Sequence, residues 1–66
     1  MKIGSRIREN RKNSKMTQEM LCEKLGNKYS QVTISKIENN ERTINVEEVK
    51  IFANALGVEV LDLIKD

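Results

Sequence analysis

Three helix start signals follow one another through the middle of this chain, each with its own stop, and they leave room for little else. Thr17 opens the first, because its hydroxyl can accept a backbone N–H two or three residues on, and Gly26 and Asn27 close it, since both tolerate left-handed backbone. Ser30 opens the second, over "SQVTISKIENN", and Asn40 closes it. Asn45 opens the third, which ends at Gly57. No Pro occurs, and Tyr29 and Phe52 are the only aromatic residues, a profile that favours helix over strand.

Periodicity extends the pattern to five helices. Ile3 and Ile7 stand four apart with Arg11 one turn further, which predicts a helix from about Lys2 to Ser14. A short last helix covers about Glu59 to Ile64. The expected core takes Leu21, Cys22 and Leu25 from the second helix and Ile34 and Ile37 from the third, with Glu38 on the same inward face. The fourth helix supplies the richest stripe, Val46, Val49, Phe52, Ala53 and Leu56, and Val58, Val60 and Leu63 complete the core. Tyr29 precedes the Ser30 cap and Ile34 is the fourth helical residue, the spacing of a hydrophobic staple. The fold expected is a single all-α domain over residues 1–66. Ile51 lies off the core stripe, and Leu61 and Ile64 are hard to bury in so small a body.

Several functions are excluded by what the chain lacks. With one Cys (Cys22) and no His among 66 residues, it has no internal disulfide and no zinc site. No nucleophile with a base, metal cluster or phosphate-cradling Gly loop is present, so neither an enzyme, nor a cofactor, nor a small-molecule ligand is expected. The apolar runs are too short for a spanning segment, and the default reading is a soluble cytoplasmic protein with no membrane partner. Charge is unevenly spread. Residues 1–40 carry nine Lys and Arg against four Glu, whereas residues 41–66 carry three bases against six acids. A basic front half suits a polyanion, although a merely solvated basic helix would look the same.

The second and third helices, Thr17 to Leu25 and Ser30 to Asn39, make a helix-turn-helix. That motif lays its second helix in the major groove of DNA while the first crosses the backbone. At 100° per residue, Val32 and Lys36 point almost opposite to Ile34, with Gln31 and Ser35 on one flank and Thr33 on the other. A polar outward face of this kind is what base edges require.

The stretches "IGSRIRENRKNSKMTQEMLCEKLG", "SQVTISKIENN" and "VKIFANALGVEVLDLI" resemble the lambda Cro and repressor family of five-helix DNA-binding domains, over Ile3 to Ile64. The resemblance implies a transcriptional regulator, a repressor, on a double-stranded operator. It implies base reading by Gln31, Val32 and Lys36, and phosphate contacts by Gln18, Asn39, Asn40 and Arg42, with Thr33 and Ser35 assigned beside them. It also implies a structural pair, Arg11 with Glu38. Two departures stand out. "NKY" occupies the place where the family usually has one apolar residue, so the turn before Ser30 is two residues longer, and Met20 stands where a Glu is common. The apolar surplus at Ile51, Leu61 and Ile64 suggests a homodimer interface. An alternative stays open: a protein-interaction module on the same fold, such as an antitoxin, because fold does not fix function.

Overall fold

Local chemistry decides where the helices begin. Thr17 Oγ1 accepts the Met20 N–H at 3.0 Å, Ser30 Oγ accepts the Thr33 N–H at 3.1 Å, and Asn45 Oδ1 accepts the Glu48 N–H at 2.9 Å. Each bond satisfies one donor that a helical first turn leaves unpaired. Glu48 returns the favour, its Oε1 accepting the Asn45 N–H at 3.2 Å and closing a capping box. Met20 cannot do so for Thr17, and the second helix has the single cap bond only. The computed structural model, which describes residues 2–65, contains α1 (Ile3–Asn13), α2 (Gln18–Lys24), α3 (Gln31–Glu38), α4 (Val46–Leu56) and α5 (Val60–Ile64). No strand occurs among the described residues.

Left-handed residues end the segments. Gly26, Asn27, Asn40 and Gly57 have φ of 71°, 60°, 62° and 70°. Lys15, at φ 57°, does the same after α1, a stop that no Gly or Asn announces.

The core draws on every helix: Ile7 from α1, Leu21 from α2 with its cap residue Leu25, Ile34 and Ile37 from α3, Val49, Phe52, Ala53 and Leu56 from α4, and Leu63 from α5. A fully buried side chain of this size contributes about 1.5–3 kcal/mol. Helix α1 packs on α3, α4 and α5, and α2 packs on α3 and α4. One expected core residue is not there. Val46 is 70% exposed, because as the first residue of α4 it sits where the helix has not yet reached the body of the core. Cys22 is only partly buried, its thiol donating to the Tyr29 carbonyl at 2.8 Å. Val58 and Val60 are partly buried and Ile51, Leu61 and Ile64 exposed.

Gly4 sets how closely α1 approaches α3. A Cβ built there would lie 2.0 Å from the Ile37 carbonyl oxygen and 2.6 Å from Asn40 Oδ1. Only glycine lets the two backbones come so near.

Candidate nucleic-acid interface

Ile34, Ile37 and Glu38 occupy the buried side of α3, so the helix must turn Gln31, Val32 and Lys36 outward. All three are exposed, Val32 at 65%. Among the described residues neither Gln31 nor Lys36 has a side-chain hydrogen bond or ion pair, so their polar groups are available to a ligand. Together with Gln18, Ser35 and Glu41 they line one shallow, open groove. Helix α2 thus brings Gln18, the first residue of its first turn, beside the outward face of α3.

Gln18 is oriented from behind. Its Nε2 donates to Glu38 Oε1 at 3.1 Å, and that carboxylate also takes Arg11 Nε at 2.7 Å and Arg11 Nη2 at 3.1 Å. Arg11 Nη1 donates to the Met16 carbonyl at 2.7 Å. Both members of the pair are buried, Arg11 8% and Glu38 3% exposed. The chain therefore ties α1, the turn after it, the start of α2 and the end of α3 into one polar network behind the groove. The Gln18 bond has no local sequence signal, since its partner lies twenty residues away.

The other residues assigned to phosphate lie elsewhere. Thr33 Oγ1 is 2.9 Å from Ser30 Oγ, within the cap of α3. Asn39 is the exposed C-cap residue. Asn40 Nδ2 donates to Ser5 Oγ at 3.0 Å, and Asn40 and Arg42 line a second open depression with Lys2 and Thr43 at the start of α1. Arg42 Nη2 is 3.1 Å from Glu48 Oε2. The same oxygen accepts the Tyr29 hydroxyl at 2.9 Å. Burial pushes the Glu48 carboxyl up, but the bonds from the Asn45 N–H, the Tyr29 hydroxyl and the Arg42 guanidinium outweigh it and hold the group below its ordinary value. Burial, then Glu48, pushes the Tyr29 phenol up.

Sequence reasoning missed Glu41 in the groove, Gly4, and the Tyr29–Glu48–Arg42 cluster. A glycine inside a helical pattern is a signal of close approach, and a half-buried tyrosine hydroxyl signals a partner. Of the residues assigned to a dimer contact, Ile64 lines an apolar groove with Ile3, Ile44, Val46, Val49 and Val60, whereas Ile51 and Leu61 do not line it. Among the described residues no group of His, Cys, Asp and Glu could hold a metal ion, and no helix is long and apolar enough to cross a membrane.

A family model described as helix-turn-helix matches residues 7–63, which contain α2 and α3 whole. No curated protein and no solved structure matches the chain.

Proposed function

The chain belongs to the helix-turn-helix family of lambda Cro and repressor type, and from that premise we propose that it represses transcription by binding a palindromic operator as a dimer. Helix α3 enters the major groove. Gln31, Val32 and Lys36 read bases, the Val32 methyls meeting a thymine methyl and the two polar side chains meeting base-edge acceptors and donors. Gln18 receives a phosphate at the start of α2, where unpaired N–H groups favour an anion. Asn39, Asn40 and Arg42, with Thr33 and Ser35, serve the flanking backbone.

The single observation that carries this reading is the groove that joins Gln18 to an α3 face whose Gln31 and Lys36 side chains have no partner among the described residues. Two copies on a dyad, about 34 Å apart, meet successive major grooves, and the apolar residues of the C-terminal half supply the contact between them.

Selection from a random duplex pool, followed by affinity measurement across salt, tests the proposal. A palindromic consensus is expected, with an affinity that falls steeply with salt, the logarithmic slope being about −0.9 for each phosphate neutralised. Failure to enrich any duplex at low salt would favour the interaction-module reading of the same fold.

A further inference from the structure

We infer that Tyr29 and Arg42, both held by Glu48, are positioning residues that fix the angle of α3 and so set its preference among bases. The inference rests on the DNA-binding reading above.

Helix α3 needs such a device because its approach turn is long. Gly26 and Asn27 are both left-handed, at φ 71° and 60°, and Asn27 and Lys28 are exposed. The Gly26 N–H is bonded to the Glu23 carbonyl and the Asn27 N–H to the Cys22 carbonyl, both at 3.0 Å, which fixes the end of α2 but not the direction of the helix that follows. Tyr29, directly before the Ser30 cap, supplies what the loop lacks. Its ring meets Phe52 edge-on, with centroids 5.1 Å apart and planes at 68°. Its carbonyl accepts the Cys22 thiol from α2 at 2.8 Å, and its hydroxyl donates to Glu48 Oε2 on α4 at 2.9 Å.

The far end of α3 meets the same atom. Arg42, three residues beyond the C-cap Asn39, donates from Nη2 to Glu48 Oε2 at 3.1 Å. Its guanidinium carbon also lies 5.9 Å from the Tyr29 ring centroid, within cation–π range. Glu48 itself is not free to move, since both its backbone N–H and its Oε1 are engaged with Asn45 in the capping box of α4. The segments entering and leaving α3 are thus pinned to one carboxylate on a rigid helix. Tilting α3 against α4 must lengthen one bond or the other. Base reading demands positions held within about 0.5 Å and 10–20°, so a small tilt is enough to change which base pair fits.

Tyr29→Phe is the informative variant, because it keeps the ring on Phe52 and removes the hydroxyl alone. The readout is the ratio of affinities for the selected operator and for its single-base-pair variants. A merely structural loss lowers the folded fraction and scales every affinity alike, leaving the ratio unchanged. The inference predicts that the ratio falls about five-fold, the scale of one hydrogen bond, with non-specific duplex binding retained. Arg42→Gln should weaken every duplex through the lost phosphate contact and, beyond that uniform loss, lower the ratio in the same direction. In the protein without DNA, amide hydrogen exchange should quicken in α3 of Tyr29→Phe and stay unchanged in α1. A parent that discriminates and a Tyr29→Phe variant that discriminates equally would overturn this inference alone, as would unchanged α3 exchange. A parent that binds no duplex would overturn the DNA-binding reading and this inference together.

Discussion

Arg11 on α1 and Glu38 on α3 meet in a fork of two bonds, Nε to Oε2 at 2.7 Å and Nη2 to Oε1 at 3.1 Å, shielded from water on both sides. The fork lies behind the groove and holds Gln18 as a third member. Removing one partner of a shielded pair leaves the other charge uncompensated, at a cost of about 3–5 kcal/mol. Glu38→Ala should therefore lower Tm by at least about 12 °C in a domain of this size. Thermal melting followed by circular dichroism checks this, and a Tm within a few degrees of the parent would show the pair to be energetically idle.

Gly4→Ala should also destabilise, against the usual order of helix propensity. In an exposed helix the change gains about 1 kcal/mol. Here the new Cβ meets the Ile37 carbonyl oxygen, a backbone atom that cannot swing aside. Helices α1 and α3 must separate, which loosens the packing of Ile7 and the Arg11–Glu38 fork. A lower Tm for Gly4→Ala is expected from the same melting experiment. A raised Tm would mean that the two backbones have room to part without loss.

The Tyr29–Glu48 bond makes stability depend on pH in two windows. The folded Glu48 carboxyl lies below its ordinary value of 4.5, so its contribution is present above that value and is lost as pH falls through the folded pKa. The folded Tyr29 phenol lies above its ordinary value of 10.0, so its contribution is present below that value and is lost as pH rises through the folded pKa. Tyr29→Phe should flatten the alkaline fall in Tm relative to the parent and lessen part of the acid one. Parallel melting curves for the two proteins across both windows would contradict the assignment.

Exposed apolar residues in the C-terminal half underlie the proposed dimer. Leu61 is 65% exposed and Ile64 47%, and Val46 joins Ile64 in the apolar groove beside Ile3 and Ile44. Leu61→Glu should leave the fold intact, yield monomers in sedimentation, and make operator binding depend steeply on protein concentration. A parent that is monomeric at tens of micromolar, with operator binding unchanged in Leu61→Glu, would place any interface elsewhere.

What could be read in the sequence was what local chemistry decides. Caps at Thr17, Ser30 and Asn45 need only the next turn, and the stops at Gly26, Asn27, Asn40 and Gly57 need only their own backbone freedom. The outward face of α3 followed from the buried positions of Ile34 and Ile37. Arg11 and Glu38 came from family resemblance, because nothing local links residues twenty-seven apart. Val46 was misplaced for a related reason: helical spacing says which residues share a face but not where along the helix the core begins. The staple spacing marks Tyr29 as an apolar anchor beside the Ser30 cap, and its ring packs edge-on against Phe52. Its hydroxyl partner nineteen residues on is a product of tertiary packing, as is the bond from the exposed Arg42 to the same Glu48 carboxylate.

The most direct test of DNA reading by α3 is competition of the selected operator against all its single-base-pair variants, for the parent, Gln31→Ala and Asn39→Ala. Gln31→Ala should lose about 1–3 kcal/mol of discrimination at one base pair and keep it at the others. Asn39→Ala should weaken every duplex by the same factor and leave the preferences unchanged. A uniform loss for Gln31→Ala, with a position-specific loss for Asn39→Ala, would contradict the account.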